Sequence, residues 1–142
     1  MDEGLAMMRD VWAKDPVDLH GKYITAEGKG LTMLPQPVKP IPLWLCGTAD
    51  AAIERTIRLA AGWHGSAQTP EQTAPIVHRL RAARPNGFTI SMRIGWNGKD
   101  AGVLRERIAA YAAVGVQHIM VAPEDREVDD WDEVIEGAGR MV

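Results

Sequence analysis

The sequence predicts an α/β fold of about four parallel strands alternating with helices, and three observations carry that prediction. From Ile41 onward, short apolar runs alternate with segments of helical period. Glycine closes those segments at Gly62 and Gly115, while Thr69-Pro70 opens one. The run Pro42-Leu43-Trp44-Leu45-Cys46-Gly47-Thr48-Ala49-Asp50 passes directly from an apolar strand through a hydroxyl-bearing turn into an alanine-rich helix. Alternating strands and helices give a parallel sheet with right-handed crossovers.

Each element follows from its own pattern. Residues 2–14 read as a helix with Leu5, Met8 and Trp12 on one face, stopped by Pro16. Residues 15–41 are irregular and rich in glycine and proline. We expect an ordered surface insertion there, with His20–Thr25 as one arm of a small ribbon. Leu43–Cys46 is a strand, and Asp50–Ala61 a helix with Ile53, Ile57 and Ala60 inward. Trp63–Ser66 is a short strand. Thr69-Pro70-Glu71-Gln72 has threonine as N-cap and glutamine three residues on, the pattern of a capping box. That helix runs past Val77 and Leu80 to the turn at Pro85-Asn86-Gly87.

Phe88–Trp96 alternates Phe88, Ile90, Met92 and Ile94 on one face, as a strand does. Val103–Val114 is a helix with Leu104, Ile108, Tyr111 and Ala112 inward, and Val116–Ala122 is the next strand. A last helix turns Trp131, Val134, Ile135 and Ala138 inward, and the acidic stretch Glu124–Glu133 forms its solvated start. The whole reads as a single domain over 1–142: a leading helix 1–14, an insertion 15–41, and four strand–helix units over 42–142. Four units are half of an eight-fold barrel, and a doubly wound open sheet is the alternative.

Composition narrows the function classes. Apolar residues are 46% of the 142 and charged residues 25%, with a net charge of −3, so no basic stripe suits nucleic acid. No apolar run approaches the ~20 residues of a membrane span. The N-terminus lacks the pattern of a signal peptide. A lone cysteine, Cys46, makes no internal disulfide and is expected as a small buried hydrophobe in a reducing, cytoplasmic setting. The tryptophans at 12, 44, 63, 96 and 131 fall one per element and are expected in the core.

The candidate site lies where strands end in glycine and hydroxyl residues. A strand that breaks at Gly47-Thr48-Ala49 and feeds a helix presents backbone N–H groups and the positive dipole end to an anion, phosphate above all. Gly65-Ser66, with His64 before it, repeats the arrangement and makes His64, Gly65 and Ser66 candidates beside Gly47, Thr48 and Ala49. A plain turn and a hydrogen-bonded structural histidine are the competing readings. His118 is expected on a strand packed under a helix. Arg93, on the outward phase of its strand, is expected in a surface salt bridge, with an acidic cofactor tail as the other reading. His20, His78 and His118 are too dispersed for a metal-ligand set.

A set of segments in order resembles the C-terminal half of the luciferase-like monooxygenase superfamily, the flavin- or coenzyme F420-dependent oxidoreductases. They are Asp2–Trp12, Pro16–Tyr23, Leu34-Pro35-Gln36-Pro37-Val38, Ile41-Pro42-Leu43-Trp44, Gly47-Thr48 and Ala60-Ala61-Gly62-Trp63-His64. The resemblance implies a TIM-like (β/α)8 barrel of which this chain supplies strands five to eight, with FMN or coenzyme F420 as cofactor. It also implies that the turn at Gly47-Thr48 holds the cofactor phosphate. The family's Gly-Gly-Ser-Ser-like turn is here Cys46-Gly47-Thr48-Ala49, so Cys46 and Ala49 depart from it. No catalytic residue carries over, because the ring-contacting residues belong to the other half.

A half barrel leaves two open edges. Trp44, Ile90, Ile94, Ile119 and Val121 are expected to face the absent half. At ~25 cal/mol per Å2, several hundred Å2 left open costs on the order of 10 kcal/mol. The chain is therefore expected to self-associate, as a dimer for instance, or to pair with an N-terminal half-barrel. The opening inside a helical segment favours a shortened product. Function is expected in one of three forms: an oxidoreductase half carrying the phosphate cradle, a non-catalytic half-barrel binding a phosphorylated ligand, or a structural remnant.

Overall fold

A computed structural model describes residues 1–124 and 128–140. Asp125, Arg126 and Glu127, within the acidic stretch expected to open the last helix, lie outside the described residues. The chain divides into two compact units, Met1–Pro42 and Leu43–Val142.

The first unit holds helix α1 (Asp2–Ala13) and an antiparallel hairpin, β1 (Val17–His20) with β2 (Thr25–Leu31). His20–Thr25 is thus the turn of the ribbon and not one of its arms. Glu3 makes that turn possible: its carboxylate accepts from the backbone N–H of Tyr23 at 2.9 Å and of Ile24 at 2.7 Å. The buried residues of α1 are Leu5 and Val11, and Met8 is 40% exposed, so its inward stripe is rotated from the expected one. Val11 packs with Val17 and Leu19 of the hairpin.

The second unit is a four-stranded parallel sheet: β3 (Trp44–Leu45), β4 (Gly62–Ser66), β5 (Thr89–Trp96) and β6 (His118–Pro123), in that spatial order. Helices α2 (Asp50–Leu59), α3 (Pro70–Ala83) and α4 (Ala101–Ala113) connect them, and α5 (Val128–Gly139) follows β6. Strands in sequential order joined by right-handed crossovers put every connecting helix on the same face. This is half of a TIM-like barrel, and the doubly wound alternative, which needs helices on both faces, falls away.

The core lies between sheet and helices. Ile53 of α2 and Ala60 just past its end, Val77 and Leu80 of α3 and Leu104 and Tyr111 of α4 close over Trp63, Ile90, Met92, Ile94 and Trp96. Ile119 and Val121 pack against the same cluster. Period two along the strands therefore sends Ile90, Ile94, Ile119 and Val121 toward the helices, and of the five residues expected on the open face only Trp44 is there. The inner face instead carries mostly polar side chains, beside the exposed Trp44 and Met120.

Three further expectations are corrected. Cys46 is exposed, because β3 ends at Leu45 and Cys46 stands beyond it. Trp44 and Trp131 are 38% and 47% exposed, outside the core that Trp63 and Trp96 occupy. On α5, Val134 and Ala138 face inward while Trp131 and Ile135 are exposed. There Gly137 sets the approach: a Cβ on it would stand 2.6 Å from the Trp96 ring, too close for any side chain.

Candidate functional site

Period two also decides what the inner face carries. His64 and Ser66 of β4, Ser91 and Arg93 of β5, and His118 and Met120 of β6 point away from the helices. They form two successive rows: His64–Ser91–His118, then Ser66–Arg93–Met120. In the first row the His64 Nδ1 lies 2.9 Å from Ser91 Oγ, and Ser91 Oγ lies 2.8 Å from His118 Nδ1. Ser91 is fully buried, His64 half-buried and His118 exposed. Desolvation holds the His64 pKa below its ordinary value, with the charges of His118 and Arg93 acting in the same direction. Trp44 leans over Gly62, where a Cβ would meet its indole at 2.9 Å, and its ring stands edge-on to that of His118.

The second row opens into a cavity of about 550 Å3 at the carboxyl ends of β4, β5 and β6. Ser66, Gln68, Arg93, Arg107, Tyr111 and Glu124 are among its lining residues. Arg107 donates to the Gly95 carbonyl at 2.7 Å and pairs with Glu124 at 3.3 Å. Arg93 makes no salt bridge with a described residue, which leaves its guanidinium open to a ligand and corrects the surface pairing expected for it.

The loop after β4 is tightly held. Ala67 takes a positive φ of 64°, Gln68 accepts from the Ser66 N–H at 3.0 Å and donates to the Ser66 carbonyl. Tyr111 OH donates to the Gln68 carbonyl at 2.6 Å. Burial raises the Tyr111 pKa. Thr69 caps α3 with the full box, its hydroxyl accepting from the Gln72 N–H while Gln72 accepts from the Thr69 N–H.

The sequence-predicted residues divide between two places. Gly47, Thr48 and Ala49 form an exposed turn after β3, outside the cavity. Gly47 has φ 110°, and its carbonyl accepts from Trp63 Nε1 at 3.0 Å. Ala49 is the N-cap of α2 and provides no side-chain cap, and Asp50 in the first turn pairs with Arg79. Ser66 lines the cavity, His64 sits one row below it, and Gly65 faces the core, where a Cβ would meet the Trp63 ring at 2.4 Å.

Ser91 was not singled out by sequence, and His118 is on the inner face instead of under a helix. A signal for both exists: His64, Ser91 and His118 follow one another at intervals of 27 residues. Among the described residues no helix is long and apolar enough to cross a membrane.

The profile of the family described as luciferase-like monooxygenase matches residues 1–128. Uncharacterized proteins from Mycobacterium bovis and Mycobacterium tuberculosis are each 30% identical over 84 residues, which is 59% of this chain and 28% of theirs. The solved structure of an F420-dependent secondary alcohol dehydrogenase, in complex with an F420-acetone adduct, superposes with a TM-score of 0.69 at 17% identity. That likeness covers 95% of this chain and 60% of the dehydrogenase chain. It is a likeness of fold.

Proposed function

The chain belongs to the luciferase-like monooxygenase family, and from that premise we propose that it forms the cofactor-phosphate side of a flavin- or F420-dependent oxidoreductase. The observation that carries this reading is Arg93, a cation with no salt bridge among the described residues, in a cavity at the carboxyl ends of the strands. Ligands of β/α barrels enter at that end. The dehydrogenase of like fold, whose complex holds an F420-acetone adduct, supports the cofactor class.

The donors at the cavity suit an anionic tail. Arg93 supplies a charge-assisted donor, Ser66 a hydroxyl, and Tyr111 and Gln68 hold the wall between them. The uncapped start of α2 at Gly47-Thr48-Ala49 supplies backbone N–H groups to a second acceptor. A flavin or deazaflavin bound here would supply hydride transfer. The chain's own part is to bind and orient. The open edges β3 and β6 pair with further strands, from a second copy or from an N-terminal half-barrel.

Fluorescence titration with FMN, F420 and phosphate-free riboflavin tests the reading. FMN or F420 should bind saturably and riboflavin at least tenfold more weakly. Arg93→Gln should weaken FMN or F420 about tenfold, the loss of one charge-assisted bond of roughly 1.5 kcal/mol. No binding of either phosphorylated cofactor sinks the proposal, and equal binding of FMN and riboflavin removes the phosphate assignment. Sedimentation at micromolar concentration reports the companion strands: a stable, well-folded monomer contradicts self-association.

A further inference from the structure

The row of His64, Ser91 and His118 performs no role in holding an anion, yet its geometry is restrictive. Ser91 Oγ lies within hydrogen-bond distance of both Nδ1 atoms, 2.9 Å on one side and 2.8 Å on the other. A hydroxyl has one proton to donate, and a neutral imidazole has one N–H and one lone pair. Two lone pairs cannot both face Oγ at these distances when it has one proton to give. At least one ring therefore carries its proton on Nδ1 and donates to Oγ. Were both to do so, the buried Oγ–H would have no acceptor among the described residues, so Ser91 donates to the bare Nδ1 of the other. Burial of Ser91 removes water as a substitute partner.

We propose that His64, Ser91 and His118 form a proton relay across the inner face of the sheet. In it, Ser91 passes a proton between the two imidazoles. The step balances within the three side chains. The Nδ1 proton of one ring moves to Oγ as the Oγ proton moves to Nδ1 of the other. A proton taken up at the second ring's partner, on its bare Nε2, is matched by one released from the other ring's Nε2–H, and no net charge is left behind. Covalent geometry puts each Nε2 on the side of its ring away from Nδ1, so the two ends of the relay face away from Ser91. His118, the exposed ring, is the solvent end, and half-buried His64 is the inner end.

The row lies one strand residue pair below Ser66 and Arg93, roughly 6–7 Å along the strands. The groups facing the row are Arg93, the one charged neighbour acting on His64 besides His118, and the Trp44 ring against His118. The relay rests on the three side chains alone and stands or falls independently of the cofactor proposed above.

Long-range 1H–15N spectra of the full chain at about pH 8 read the tautomers directly, with exposed His78 on α3 as internal reference. The Nδ1–H populations of His64 and His118 should sum to one. Ser91→Ala should abolish that constraint, and Ser91→Thr should restore it. Nδ1–H populations that do not sum to one in the native protein, or a sum unchanged in Ser91→Ala, would overturn the relay. Should Ser91→Ala fail to fold, His64→Phe and His118→Phe decide the matter. In each, Ser91 donates to the surviving ring and fixes it as Nε2–H, so one survivor must leave its native tautomer. No change in either variant rejects the proposal.

Discussion

Trp44 on the first strand of the sheet and His118 on the last meet edge to face, ring centroids 5.5 Å apart and planes 74° apart. Three strand spacings of roughly 4.8 Å separate β3 from β6. A flat sheet would hold these side chains well apart, so their meeting reports inward curvature, the arc of a barrel wall. The contact is an edge contact at a partly open face, whereas Trp63 is fully buried among the helices. Trp44→Ala should cost about 1 kcal/mol and Trp63→Ala about 3–5 kcal/mol, read as urea midpoints. Equal costs would place Trp44 in the core and remove the arc.

His64 gives the stability a pH dependence whose sign follows from its surroundings. Its pKa in the folded protein is lowered, by desolvation first, then by His118 and Arg93. The unfolded chain therefore binds more protons, and stability rises with pH. That contribution is complete above the ordinary histidine value of 6.5 and is lost as pH falls through the lowered folded value. Thermal midpoints measured from about pH 7.5 down to pH 5 should decline, and His64→Gln should flatten the curve. A native midpoint independent of pH across that range rejects the account.

Gly65 separates packing from binding. It was read from sequence as part of a phosphate turn, yet a Cβ there would lie 2.4 Å from the Trp63 ring and 2.5 Å from Met92 Cε. Trp63 is fully enclosed and its indole nitrogen is held by Gly47, so the ring has little room to yield. Gly65→Ala should therefore destabilise by about 1–3 kcal/mol through overpacking. Its effect on FMN or F420 affinity, measured where the variant is still folded, should be small. An unchanged midpoint would mean that the core opens more easily than the geometry allows.

The strand–helix alternation, the capping box at Thr69 and Gln72, and the inward residues Ile53, Val77, Leu80 and Leu104 were legible because period and capping are local. The facing of the strands was not. Period two splits a strand into two sets, but which set meets helices is settled by packing, and the apolar residues Ile90, Ile94, Ile119 and Val121 went to the helical side. Once they did, His64, Ser91 and His118 had to share the other face. Arg93 followed by the same parity. Two-residue β3 is too short to bury Cys46, which no local pattern discloses.

Tyr111 joins two parts of the site through a single hydroxyl. It stands on α4, is largely buried, and donates to the Gln68 carbonyl at 2.6 Å. Gln68 in turn clasps Ser66 through both its amide atoms, across Ala67 at its positive φ. Tyr111→Phe leaves the ring packed and removes the donor, so a carbonyl inside the wall of the cavity loses its partner. The expected cost is about 1 kcal/mol of stability, with a several-fold loss of cofactor affinity because Ser66 is no longer held in place. Burial raises the Tyr111 pKa, so its contribution is present below the ordinary value of 10 and fades as pH rises beyond it. Native protein should thus lose stability between about pH 9 and pH 11 more steeply than Tyr111→Phe does. Parallel curves would show that the hydroxyl is not what closes the loop.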